Sequence, residues 1–291
     1  MSDEGKYLVT PPLLEVRPLI EAALREDVRS GDITTTALIP KHTQAWAHMV
    51  FRESGVVSGV IAARLAFQML SEDIRAEVLF RPGCQVEAGD TVLQVTGDAR
   101  AILTAERVAL NFVQRLSGIA TVTRQFVDAV AGTRAQIVDT RKTTPGLRLL
   151  EKYAVRCGGG SNHRFALDDL ILIKDNHIAL CGGIAPAVQR ARQHVGHAVK
   201  IEVECDTLEQ VEEAVQSRAD IILLDNMQPE QLRAAVEMIG GRALTEASGG
   251  VNLSTVRAIA ESGVDLISVG ALTHSARSLD IGLDIEMADA L

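Results

Sequence analysis

Six short apolar runs recur through the second half of the chain, at residues 135–138, 170–173, 199–203, 221–224, 243–244 and 266–269. Helix-like segments such as TLEQVEEAVQSRA, QPEQLRAAVEMIG and NLSTVRAIAESG lie between them. Parallel strands need a crossover of about a dozen residues, and the helices that supply it cover both sheet faces. The alternation therefore predicts parallel strands under helices, with a closed α/β barrel as the first expectation and an open doubly wound sheet as the second.

The first 115 residues have another rhythm. Residues 13–27 suit a helix, GDITTTALIP a turn and an extended segment, 46–51 a strand and 60–70 a helix. RPGCQVEAGDTVLQVTGDARAIL sets short β-branched runs between glycine turns, which predicts hairpins. Small β-modules that carry biotin or lipoate look similar, but they present a lysine at the hairpin tip. No lysine occurs between Lys41 and Lys142, so a carrier role is not expected. Thr104 is read as the cap of a helical region over 105–130, with a break at Gly118. Two domains are expected: 1–115, mixed α/β, and 116–291, the barrel.

Charge and cysteine use narrow the partners. A net charge of -9 argues against nucleic acid and anionic membrane, which are met by clustered Lys and Arg. Cys84, Cys157, Cys181 and Cys205 form no CxxC pair and no zinc spacing, so reduced thiols are expected. No run approaches the roughly 18 apolar residues of a membrane span. MSDEGKYLVTPP lacks the basic-then-apolar pattern of a secretory signal, so a cytoplasmic location is expected.

In barrels, chemistry gathers at the carboxyl ends of the strands. Read in order, those ends are Asp139-Thr140-Arg141-Lys142, Lys174-Asp175-Asn176-His177, Glu202 and Glu204, Asp225-Asn226, Glu246-Ala247-Ser248-Gly249-Gly250, and Gly270. Nearly every run stops at a charge or a glycine. Arg141, Lys142 and Lys174, with His163 and Arg164 of GGGSNHR, would meet an anion, because the guanidinium fork matches a carboxylate. Glu204 and Asp225 follow successive runs and suit a divalent cation held through oxygens or water. Ser248-Gly249-Gly250, running into a helix start expected near Asn252, would offer backbone N–H groups to a phosphate.

These residues carry a resemblance. DTRKTTPGLRLLEKYAVRCGGGSNHRFALDDLILIKDNHI looks like the signature of the quinolinate phosphoribosyltransferase family. EDVRSGDITT, TAERVALNFVQRLSGIAT, KIEVEC, ILLDN, EASGGV and ISVGALTHS extend the match over essentially the whole chain. The resemblance implies an N-terminal α/β sandwich domain, an incomplete, about six-stranded α/β barrel, and a homodimer with shared active sites. It implies transfer of phosphoribosyl from phosphoribosyl pyrophosphate to quinolinate with loss of CO2, assisted by Mg²⁺. Carried over residue by residue, Arg107 (from the other subunit), Arg141, His163, Arg164 and Lys174 would bind quinolinate. Lys142, Ser248, Gly249, Gly250, Gly270 and His274 would bind phosphoribosyl pyrophosphate. Glu204 and Asp225 would handle Mg²⁺ and ribose, and with Lys142 form the catalytic set.

Three rivals are weighed: a paralogue of the same fold linked to molybdenum uptake, a nicotinate phosphoribosyltransferase, and a non-catalytic sensor of pyridine dicarboxylates. The first should lack part of the carboxylate-binding set, the second needs to hold one carboxylate only, and the third has little use for Glu204 and Asp225.

Overall fold

The computed structural model describes residues 8–287. In chain order the first elements are α1 (Leu13–Val28), α2 (Ile33–Leu38), β1 (Gln44–Phe51), β2 (Gly55–Val56), α3 (Val60–Leu70), β3 (Arg75–Val78), β4 (Gln85–Val86), β5 (Thr91–Asp98) and α4 (Ala99–Ala129). There follow β6 (Gln136–Val138), α5 (Arg148–Cys157), β7 (Ile171–Ile173), α6 (Asp175–Cys181), α7 (Ile184–His194), β8 (Ile201–Cys205), α8 (Leu208–Gln216) and β9 (Ile221–Asp225). The last are α9 (Pro229–Ile239), β10 (Leu244–Ser248), α10 (Val256–Ala260), β11 (Leu266–Ser268), α11 (Ala271–His274) and β12 (Ile281–Met287).

The chain forms two compact units that no single cut separates: residues 8–124 with 143–159 and 275–287, and residues 125–142 with 160–274. The first holds an antiparallel sheet in the order β12-β1-β5-β3. Strand β1 alternates to bury Ala45, Ala47 and Met49, while α1 buries Val16, Ile20 and Leu24 and α3 buries Ala63, Ala66 and Phe67. No helix among the described residues is long and apolar enough to cross a membrane.

This unit departs from expectation in four places. Residues 33–38 are helical rather than extended, because the Asp32 carboxylate accepts the Thr35 N–H at 2.9 Å and caps the turn against the strand preference of Ile and Thr. Strand β4 pairs with β2, and β5 pairs with β1 and β3, so the glycine turns between β4 and β5 do not close a hairpin. Helix α4 starts at Ala99, where Asp98 accepts the Ala101 N–H at 2.9 Å; Thr104 instead donates its hydroxyl to Asp32 at 3.2 Å. It also runs unbroken through Gly118, which sits there because a Cβ would collide with the Arg277 carbonyl.

The second unit is the expected α/β barrel, incomplete. Its six strands run in the order β6-β11-β10-β9-β8-β7, all parallel. The first strand pairs with the last, as a barrel requires, while β6 and β7 leave a seam. A single parallel bridge, Val138 to Ser161, lies along the free edge of β6. Strands β8 and β9 are buried along nearly their whole length, as expected for strands packed on both faces. Strand β10 runs to Ser248, four residues past the expected end, so Glu246 lies within the sheet and not on a loop.

Candidate active site

Pleating sets the site. Side chains on one strand face repeat every two residues, and at the carboxyl ends of this barrel that period yields two inward layers. Leu172, Leu223, Glu246 and Ser268 face the cavity one pleat deep; Lys174, Glu204, Asp225, Ser248 and Gly270 face it at the rim. With Arg141, Lys142, His163, Arg164, Gly249, Gly250 and His274 they line a cavity of about 830 Å³. Every site residue expected from the sequence is on it except Arg107, an exposed residue of α4 in the other unit.

The cations divide by environment. The Arg141 Nε is buried with no hydrogen-bond partner, an orphan donor that calls for a ligand. Burial, and next the like charge of Arg141, lower the Arg164 pKa, while Glu202 and Asp169 oppose the shift. Lys174 Nζ is paired with Glu204 Oε2. Lys142 is exposed, and its side chain crosses Gly270 beside His274, each close enough that a Cβ there would press on both. The Lys142 carbonyl accepts the Thr273 hydroxyl at 2.7 Å, which anchors that crossing.

The glycine-rich end is looser than expected. The helix after it begins at Val256, not near Asn252, so Gly249, Gly250 and Val251 form an open loop. Gly249 has φ +92°, and a Cβ would stand 2.6 Å from Asn226 Cγ and 2.9 Å from Asn226 N. Asn226, itself at φ +55°, fills that space and donates its N–H to the Ser248 carbonyl at 2.9 Å.

Below the rim lies a cluster whose two acids, Glu202 and Glu246, show in the sequence only as charges at strand ends. Glu202 and Glu246 are 0% and 1% exposed, and none of their four carboxylate oxygens has a hydrogen bond of normal geometry. His163 Nε2 stands 3.1 Å from Glu202 and 3.5 Å from Glu246. Asp139, also fully buried, fixes the loop by accepting the His163 N–H at 2.9 Å and Asn162 Nδ2 at 2.6 Å. Burial, and next the charge of Glu202, push the Glu246 pKa up to about 7, with His163 opposing.

Three such ligand atoms suggest a metal, and these are the one group of that kind among the described residues. The ring argues otherwise. A metal-bound histidine uses one nitrogen lone pair and donates the other N–H. Here Nδ1 accepts the Arg164 N–H at 2.7 Å, so the ring proton sits on Nε2, facing the acids. His163 Nε2 is therefore a donor in this cluster and not a ligand.

Comparison with known proteins agrees with the geometry. Residues 32–117 match the N-terminal domain, and 119–284 the C-terminal domain, of quinolinate phosphoribosyl transferase. The chain belongs to that family. It is 48% identical over 275 residues to the nicotinate-nucleotide pyrophosphorylase (carboxylating) of Mycobacterium leprae, covering 92% of this chain and 96% of that one. Identity to the probable enzyme of that name from Bacillus subtilis is 43%, over 95% of both chains. The solved structure of NadC from Streptococcus pyogenes superposes with a TM-score of 0.94 at 42% identity, covering 97% of this chain and all of that one. As a member of the quinolinate phosphoribosyl transferase family, the chain is an enzyme, and its cavity is the family's active-site candidate.

Proposed function

We propose that the barrel mouth joins quinolinate to phosphoribosyl pyrophosphate, giving nicotinate mononucleotide, pyrophosphate and CO2 in the synthesis of NAD. The observation that carries this reading is one cavity lined by two unlike sets of groups: Arg141, with its buried unpartnered Nε, together with Arg164 and Lys174, and the glycines Gly249, Gly250 and Gly270. Two adjacent carboxylates lose much hydration on entering such a pocket, and several cations offset the cost.

Arg141, Arg164 and Lys174 hold the carboxylates, with His163 behind them. Ser248, Gly249, Gly250 and Gly270 receive the 5′-phosphate, with His274 beside them. Lys142, lying over Gly270, offsets the charge that develops on the leaving pyrophosphate. The pyridine nitrogen attacks the ribose C1 as that bond breaks; a neutral nitrogen needs no base, so positioning and fixed charge govern the step.

The family implies Mg²⁺. Glu204 and Asp225 end adjacent strands at the rim, and no third acidic, histidine or cysteine ligand joins them among the described residues. Such a pair fits an ion that keeps waters and takes its remaining ligands from substrate phosphates. When bound, Mg²⁺ would supply positive charge to the pyrophosphate. Lys174, meanwhile, holds Glu204 in place until the anion draws it away. Arg107 of the partner subunit would complete the quinolinate end in a homodimer, in the cytoplasm.

The test is CO2 release with quinolinate against nicotinate as the acceptor, with Mg²⁺ present and removed. Metal-dependent release from quinolinate supports the reading; turnover of nicotinate alone, or binding without turnover, refutes it. Mixed dimers of Arg107→Ala and Arg141→Ala subunits should recover activity that neither variant has alone, and no recovery would refute sharing.

A further inference from the structure

The product of this reaction carries a hydrogen where quinolinate carried its 2-carboxylate, so one proton must reach the pyridine C2 in each turnover. The inference rests on the reaction proposed above. Once the ring nitrogen is ribosylated, the C2–carboxylate bond breaks, CO2 leaves, and the bonding pair stays on C2 beside the positive nitrogen. That pair then takes a proton.

Few groups on the cavity have one to give. Arginine does not release its proton in this range, which removes Arg141 and Arg164. Lys174, drawn from Glu204 by the bound substrate, is the charge partner of the quinolinate carboxylates. Lys142 and His274 meet at Gly270, on the phosphate side. His163 carries its proton on Nε2, directed to the two buried acids.

Glu246 remains. It lines the cavity from the deeper layer at 1% exposure. Two carboxyls buried this deeply share the His163 N–H, with only the Ser268 hydroxyl besides it near Glu246, and an interior of low dielectric does not keep both ionised. Glu202 has the shorter contact to that donor, 3.1 Å against 3.5 Å, so its charge is the one compensated. Glu246 keeps the proton. We propose that Glu246 is the general acid of the decarboxylation step, delivering its carboxyl proton to C2, with Glu202 and His163 as positioning residues that hold it in the acid form. The transfer leaves Glu246 as a carboxylate, which takes a proton from solvent before the next turnover; one proton is consumed and one CO2 released.

Single-turnover rapid quench, following pyrophosphate and nicotinate mononucleotide separately, tests this. In Glu246→Gln, which keeps size and polarity, pyrophosphate should form at the wild-type rate. Nicotinate mononucleotide should form about a hundredfold more slowly or worse, the scale of a lost general acid, while the ribosylated dicarboxylate accumulates. Equal slowing of both steps, or slowing of neither, overturns the proposal. Should Glu246→Gln fail to fold, Glu246→Asp decides, since it keeps the acid but withdraws it by one methylene: the same split in smaller measure is expected, and its absence is fatal. Wild-type protein that releases no CO2 from quinolinate would refute the reaction itself, independently of any variant.

Discussion

Gly118→Ala sets two effects of opposite sign against each other. Gly118 is interior to the 31-residue helix α4, where replacing glycine by alanine ordinarily stabilises by about 1 kcal/mol. The new Cβ, however, would stand 3.0 Å from the Arg277 carbonyl carbon and well inside contact distance of its oxygen. Both are backbone atoms, so no side chain can swing aside. The segment is also held from two sides: Arg277 pairs with Glu53, and Arg115 Nη1 donates to the Ala276 carbonyl at 2.7 Å. Forcing such segments apart costs about 1–3 kcal/mol and at times more, so the steric cost should exceed the propensity gain. Net destabilisation of about 1–2 kcal/mol is expected by urea or thermal unfolding. Gly132→Ala is the control: φ is +79° and nothing lies within 4 Å of the added carbon, so backbone strain alone, about 1 kcal/mol, should register. A Gly118→Ala protein more stable than wild type would refute the close packing of α4 on the 277 carbonyl.

Arg141→Ala should raise KM for quinolinate roughly ten- to a hundredfold, the worth of a hydrogen bond to a charged group, with KM for phosphoribosyl pyrophosphate little changed; steady-state kinetics in both substrates would check it. Gly249→Ala adds positive-φ strain to a clash with Asn226, and should weaken phosphoribosyl pyrophosphate binding more than quinolinate binding in calorimetric titrations. Arg277 first, and the Asp280 N–H next, lower the Glu53 pKa from 4.5 to about 2. A carboxyl held low adds stability above its ordinary pKa and loses it as pH falls toward the folded value. Glu53→Gln should therefore flatten the fall in stability between pH 4.5 and 2, as read by denaturant unfolding across that window.

The sequence by itself determined the class of fold and most of the cavity wall. Six apolar runs at crossover spacing leave parallel strands under helices as the arrangement that buries them, and barrel strands direct their carboxyl ends to one mouth. Arg141, Lys142, Lys174, Glu204 and Asp225 are legible because each follows its run within four residues, at the strand ends that open on the mouth. The caps are less legible: Asp32 and Asp98 start helices through hydrogen bonds only three residues long, against the strand propensity and glycine spacing around them.

Tertiary structure alone decided the rest, for a physical reason. Whether Glu202 and Glu246 face solvent or the barrel interior depends on strand length and on a register of period two, and one residue of slip would turn both outward. Their meeting at His163 further requires β8 and β10 to lie either side of β9, and Asp139 to hold the 162–163 loop. Gly118 likewise reads as a helix breaker in one dimension, and becomes a contact surface only when residue 277 is brought against it. Local patterns fix what each segment wants to be, whereas proximity between distant segments is a property of the packed chain.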